Sequence, residues 1–259
     1  MYATERHQLI EQLISADGRV AVVDLAHRFG VTTETIRRDL GQLERSGLVR
    51  RVHGGAVGRG RASTVETSLP ERAARRSDAK QAIARAAAAL IDERFTGSVY
   101  LDAGTTTAAV AQQLLSDRTG PALEVVTHSM TIAHLLAGAP GLGLTAVGGR
   151  VRGLTAAAVG PHTVESITRL RPDIAFVGTN GISAGFGLST PDPDEAAVKA
   201  AIVRSAQRVV VVCDAEKFDA ELLVSFARLE DVDDLLTDRK PTGELAGALT
   251  EAGVAVQVA

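Results

Sequence analysis

The sequence predicts an α/β protein of two domains, a small helical head that closes in a β-hairpin and a larger body built on a mostly parallel sheet. Three observations carry this reading. From about residue 78 onward, apolar runs of four to six residues alternate with helix-length stretches, the pattern of strand and crossover-helix units. The first sixty residues instead repeat apolar side chains at helical spacing, interrupted by Gly18 and Gly30. The charge divides as well: residues 1–80 carry 14 basic against 10 acidic side chains, a net +4, and residues 81–259 carry 14 against 21, a net −7. At 259 residues the chain stands near the ~250 at which one core stops growing, so two domains are expected.

Composition narrows the class. With 45% hydrophobic and 23% charged residues, global disorder and fibrous repeats are excluded. Glu5, Arg6 and His7 follow the first methionine closely and no apolar run approaches the ~18 residues of a membrane span, so neither leader nor membrane anchor is expected, and the location expected is cytoplasmic. Cys213 is the only cysteine and ends the apolar run 209–212, which excludes an internal disulfide and a thiolate zinc cluster and suggests a buried, inert thiol. No group of His, Cys or carboxylates has ligand spacing, so no metal and no cofactor are expected.

In the head, residues 4–17 place Leu9, Ile10, Leu13 and Ile14 on one side of a helix that Gly18 ends. Residues 22–29 form a second helix with Val22, Leu25, Ala26 and Phe29 inward and Gly30 as its left-handed stop; Ala21 stands at the cap position, where a hydroxyl would accept an amide bond. Thr32 then caps a third helix, in which Ile36, Leu40 and Leu43 recur on the buried side. Its other side presents Thr33, Glu34, Thr35, Arg37, Arg38 and Gln42. Two helices joined by a glycine turn, the second with an exposed basic leading end, make a helix-turn-helix. Thr33 and Arg37, four apart, project together toward a major groove. Arg38 lies about 100° around the axis, placed either to hold a phosphate or to pair with Glu34. Residues 48–52 read as a strand, His53, Gly54 and Gly55 as a hairpin tip, and Arg50 and Arg51 as side chains of a wing along the phosphate backbone, where missing side chains permit close approach.

Residues 58–77 lose apolar periodicity and read as an exposed linker between a domain at 1–57 and one at 78–259. After a helix near 78–92, strands are expected at 99–102, 123–127, 144–147, 174–177, 208–212, 234–237 and 255–258, and their continuous apolar character implies parallel pairing with both faces covered. Ligands of such sheets bind beyond the carboxyl ends of strands. There the chain offers Asp102, Gly104, Thr105, Thr106 and Thr107, an anion cradle of backbone amides and hydroxyls; then His128 and Ser129; Gly149 and Arg150; the loop 178–181; and Asp214 with Lys217. Neither a nucleotide P-loop nor a dinucleotide fingerprint fits these spacings. Glu195 and Lys199, four apart on a helix after Pro193, suit either an exposed ion pair worth ~0.3 to 0.5 kcal/mol or an inward pair, the lysine on a phosphate and the glutamate on a sugar hydroxyl.

The string from Glu5 through Val57, with Thr35-Ile36-Arg37-Arg38-Asp39-Leu40 and the arginine-histidine-diglycine tip, resembles the amino-terminal winged helix of the DeoR family of bacterial transcriptional regulators. The segments LDAGTTTAAVAQQL, VVTHSMTIAHLL, VGGRVRG, VGPHTVESI, DIAFVGTNGIS, DEAAVKAAIV and VCDAEKF resemble, in order, the effector domain of the same family, which is similar to ribose-5-phosphate isomerase. The resemblance implies a repressor that binds a double-stranded DNA operator as a dimer or larger homo-oligomer and senses a phosphorylated sugar. Asp102, Gly104, Thr105, Thr106, Thr107, Arg150, Glu195, Lys199, Asp214 and Lys217 are the effector positions it carries over. The opening MYATERHQLI looks like actinobacterial regulators of fructose uptake, which makes fructose 1-phosphate the first candidate effector. Two residues depart from the family pattern: Ala21 replaces the usual serine cap, and His128 stands where asparagine is usual. A rival reading is a sugar-phosphate isomerase carrying a DNA-binding domain, with Glu195 or Asp102 as proton shuttle; another is an architectural DNA binder with a vestigial pocket.

Overall fold

The computed structural model describes residues 2–17, 19–46, 49–52, 54–58, 63–64, 66–91, 94–117 and 123–259. It divides into two compact units, residues 1–65 and 66–259.

The first unit runs α1 (Ala3–Asp17), β1 (Arg19–Ala21), α2 (Val22–Phe29), α3 (Thr33–Arg45), β2 (Val49–Val52) and β3 (Gly55–Gly58). Its core gathers Ile10, Ile14, Val22, Leu25, Ile36, Leu40, Leu43 and Val49, each large side chain contributing about 1.5–3 kcal/mol by burial. Leu9, expected on the inner face of α1, is exposed; Ile10 and Ile14 carry that face. Gly30 ends α2 at φ 63°, and Ala21 supplies no side-chain cap. The strands form an antiparallel sheet in the order β1-β3-β2. β1 escaped the sequence reading because three residues leave no periodic signal.

The second unit runs α4 (Leu69–Ala74), α5 (Ser77–Ala89), β4 (Ser98–Leu101), α6 (Thr105–Asp117), β5 (Leu123–Thr127), α7 (Met130–Leu136), β6 (Leu142–Ala146), β7 (Arg150–Arg152), β8 (Ala157–Val159), α8 (Pro161–Thr168), β9 (Ile174–Val177), β10 (Gly181–Ser183), β11 (Gly187–Thr190), α9 (Pro193–Ser205), β12 (Arg208–Val212), β13 (Val224–Ala227), β14 (Asp234–Thr237), α10 (Gly243–Glu251) and β15 (Ala255–Val258). Seven strands, all parallel, line up as β15-β14-β12-β9-β4-β5-β6. Alternate residues of one strand feed opposite layers. Val209 and Val211 join one apolar cluster with α8, α9 and α10, while Val210 and Val212 join the other with α5, α6 and α7. Cys213 closes the run, and burial raises its thiol pKa, which keeps it unreactive.

The stretch 58–77 is not an exposed linker throughout. Glu71 accepts hydrogen bonds from the Ser68 backbone N–H at 3.1 Å and the Ser68 hydroxyl at 2.8 Å, which starts α4. Lys80 then donates to the carbonyls of Arg72 and Arg75 at its end. A six-residue helix held by polar caps shows no apolar period, which is why the sequence pattern missed it. Residues 59–62 lie outside the described residues.

Candidate functional site

α3 exposes the leading end of the helix-turn-helix. The Thr32 hydroxyl accepts the Thr35 N–H at 3.2 Å and lies 2.9 Å from the Thr35 hydroxyl, so Thr35 spends its polar group on the cap and is half-buried. Thr33, Glu34, Arg37 and Arg38 are exposed. Glu34 pairs with Arg37 at 3.3 Å rather than with Arg38, the three-residue step bringing these two together. Both partners are open to solvent, so the pair is worth ~0.2–1 kcal/mol and leaves Arg37 easily exchanged onto another anion.

In the hairpin, Arg51 is exposed and its backbone N–H donates to Glu44 at 2.9 Å. The Arg50 side chain and His53 lie outside the described residues. Gly54 is exposed at φ 80°. Gly55 has a different reason for lacking a side chain from the close phosphate approach expected for it. A Cβ there would lie 2.0 Å from the Val20 carbonyl, so the pairing of β3 with β1 demands glycine.

Beneath the exposed face, the Asp39 carboxylate accepts from Arg6 Nε at 2.8 Å, Arg6 Nη2 at 3.0 Å and His7 Nε2 at 3.0 Å. Burial pushes this carboxyl up, but the bonds from Arg6 and His7 outweigh it and hold it below the usual range. The bidentate pair locks α1 across α3 and so orients the helix face above it.

In the second unit, polar groups converge beyond β4. Asp102 is fully buried; its Oδ2 accepts from the Gly178 N–H at 2.9 Å and from Lys199 Nζ, which also donates to the Gly178 carbonyl at 2.9 Å. Asp102 Oδ1 has no hydrogen-bond partner. Gly104 to Thr107 start α6 beside it, Gly104 and Thr105 half-buried, and the Thr107 hydroxyl donates to the Gly104 carbonyl at 3.1 Å. His128, also buried, places Nδ1 3.0 Å from the Tyr100 hydroxyl and Nε2 3.7 Å from Asp102 Oδ1. Burial lowers its pKa to about 4, with Lys199 acting in the same sense and Asp102 against it, so the ring is neutral at physiological pH.

The other expected positions are used differently. The Ser129 hydroxyl caps α7, accepting from Ile132 N–H at 3.3 Å. Gly149 sits at φ 154°, where a Cβ would meet the Thr163 hydroxyl at 2.0 Å. Arg150 is exposed and pairs with Asp194. Asp214 accepts from the Glu216 N–H at 3.0 Å at the end of β12, two strands from β4, with the half-buried Lys217 three residues on. Glu195 and Lys199 are both buried, which removes the exposed ion pair from consideration, yet each has its own partner: Lys199 is the counter-ion of Asp102, and Glu195 accepts from Thr155 and from Arg152 Nη1 at 3.1 Å. Burial raises the Glu195 pKa, opposed by the Thr155 bond.

Residues 6–59 match the DeoR-like helix-turn-helix domain and residues 75–239 match the DeoR C terminal sensor domain. The chain is 32% identical over 251 residues to the glycerol-3-phosphate regulon repressor of Escherichia coli, with 97% of each chain covered. It is 36% identical over 263 residues to the HTH-type transcriptional regulator GlpR of Haloferax volcanii, covering 99% of this chain and 98% of that one.

The chain belongs to the DeoR family.

A third relative is the uncharacterized HTH-type transcriptional regulator FruR of Bacillus subtilis, 34% identical with 92% of each chain covered. Among solved structures, ribose 5-phosphate isomerase A of Neisseria gonorrhoeae gives a TM-score of 0.39 at 12% identity, over 54% of this chain and 53% of that one. As a DeoR-family member, carrying a DeoR-like helix-turn-helix domain and a DeoR sensor domain, the protein is a transcriptional regulator and not an isomerase. Among the described residues no helix is long and apolar enough to cross a membrane. The fold of this regulator gathers Asp102, Gly104 to Thr107, His128 and Lys199 at one strand end, while Asp214 stands at the end of β12, two strands away, and Arg150 is exposed against Asp194. It also shows residues the sequence reading had not singled out. Arg152 binds three carboxylates, Glu66, Asp192 and Glu195, and Glu66 is buried at the start of the sensor unit. A signal for Arg152 existed only in its position inside VGGRVRG.

Proposed function

We propose that this regulator represses a sugar-utilisation operon in the cytoplasm as a homo-oligomer, and that a phosphorylated sugar bound beyond β4 sets its operator affinity. On this reading Thr33 and Arg37 face the major groove, with Glu34 releasing Arg37 to DNA, and Arg38, Arg51 and Gly54 follow the phosphate backbone. The first-turn amides of α6 and the Thr105 and Thr106 hydroxyls take the phosphate, while Asp102 and His128 face the sugar. The observation that carries the effector half is the unpartnered, fully buried Asp102 Oδ1 beside a counter-charged lysine, three residues before the start of α6. A buried acceptor left unmade costs about 1–3 kcal/mol, which a ligand hydroxyl would recover.

Fructose 1-phosphate is the first candidate, and the name of the Escherichia coli relative adds glycerol 3-phosphate to the panel. The test is thermal unfolding of the protein with each compound and its unphosphorylated parent. A ligand at 100 times its Kd adds about 2.7 kcal/mol. Thr105→Asp supplies the control, because a carboxylate suits the first turn of α6 yet repels a phosphate there. The expected result is stabilisation by a phosphorylated compound alone, lost in Thr105→Asp with the unliganded melting temperature held or raised. Equal stabilisation of Thr105→Asp and wild type would remove the phosphate from this position.

A further inference from the structure

Two chains of contacts run from Asp102 to one residue, Glu66, the first of the sensor unit and the point at which the chain leaves for the DNA-binding head. One passes along α9. Lys199 holds Asp102; Glu195, one turn earlier, is held by Arg152; and Arg152 Nη1 donates to Glu66 Oε2 at 2.7 Å while its Nε forms an ion pair with Asp192, the cap of α9, at 3.0 Å. The other passes along the loop after β9. The Gly178 N–H donates to Asp102 Oδ2, and Asn180, two residues on, directs Nδ2 to Glu66 Oε1 at 3.4 Å. Arg72 of α4 completes the site at 2.5 Å.

The Glu66 side chain is 1% exposed, and Arg72 and Arg152 are each 19% exposed. A carboxylate so buried depends on its partners, because removing one leaves a buried charge uncompensated. Lys199 and Glu195 are fixed to one helix. A ligand that replaces or reorients the Lys199 and Gly178 contacts to Asp102 therefore moves both routes at their Asp102 ends, and both end on the same carboxylate.

We propose that Glu66 is a positioning residue that couples the effector site to the DNA-binding head, its grip on Arg152, Asn180 and Arg72 being the element that effector occupancy resets. The inference rests on the proposed function, since it concerns regulation of that same site. It assigns Glu66 no contact with either ligand.

The test measures operator affinity with and without saturating effector for the wild type, Glu66→Gln, which removes the charge and keeps the shape, and Glu66→Asp, which keeps the charge and shortens the reach. The DNA is a duplex selected from a random pool by the effector-free wild type, and the effectors are fructose 1-phosphate and glycerol 3-phosphate. Wild type is expected to change operator affinity by about 5- to 150-fold. Both variants are expected to bind DNA without effector and to bind the sugar phosphate by calorimetry within about threefold of wild type, with the effector-dependent ratio falling to about one. A wild-type ratio in either folded variant overturns the coupling role. A variant that loses sugar-phosphate binding outright overturns it too, because Glu66 would then belong to the binding site. A wild type whose operator affinity ignores both compounds overturns the effector reading itself, and the coupling with it.

Discussion

His128 is the residue at which the sequence raised a question that the fold answers. Its place in the family pattern is usually filled by asparagine, and the change bears either on the effector's identity or on the pH at which it binds. Burial lowers its pKa to about 4 from the ordinary 6.5, so it stands as a neutral ring beside Asp102 with its Nδ1 on the Tyr100 hydroxyl throughout the physiological range. Between pH 6.5 and about 4 the unfolded chain takes up a proton that the folded chain refuses, so the folded state loses stability as pH falls across that window. At 1.36 kcal/mol per pKa unit the loss approaches ~3 kcal/mol near the lower end. Denaturant unfolding of wild type and His128→Asn at pH 7 and pH 4.5 is expected to shift the comparison toward the asparagine variant by about 2–3 kcal/mol on acidification. Parallel pH dependence of the two proteins would show that His128 is not held neutral.

At the scale of elements, all seven strands of the parallel sheet were legible as apolar runs, and the winged helix as a helical period ended by Gly30 and restarted by Thr32. β6 begins at Leu142, two residues before the expected strand, since Gly143 interrupts the apolar run there. The short pieces β7, β8, β10, β11 and β13 were not legible; segments of three or four residues that pair antiparallel to one another carry no period of their own. The ion pairs were hidden for another reason: Arg152 and Glu66 are 86 residues apart, and nothing local marks them as partners. Asp39 belongs to this group as well, inside the most distinctive motif of the head yet acting inward, on α1. Removing it takes the bidentate carboxylate from the buried Arg6 guanidinium. Asp39→Ala is therefore expected to cost the head about 3–5 kcal/mol and to abolish operator binding, while sugar-phosphate binding survives. Scanning calorimetry with an effector titration checks both halves, and an unchanged head transition would contradict the anchoring role.

For the whole molecule, the charge division follows the functional one, a weakly basic head on an acidic body. A net +4 over the first 80 residues is a modest field, so on the proposed reading specificity depends on where Arg37, Arg38 and Arg51 stand, and operator binding is expected to weaken steeply with salt. Linkage then demands that an effector favouring one state of the operator-binding equilibrium be itself bound differently with and without DNA. The most direct measurement is the operator affinity of the intact protein at fixed salt during titration with fructose 1-phosphate, alongside the sugar-phosphate affinity with and without saturating operator. The expected result is a change of about 5- to 150-fold, equal in both directions, with Arg37→Ala losing operator binding and keeping the sugar phosphate. A sugar phosphate that binds tightly while operator affinity stays constant would contradict the account.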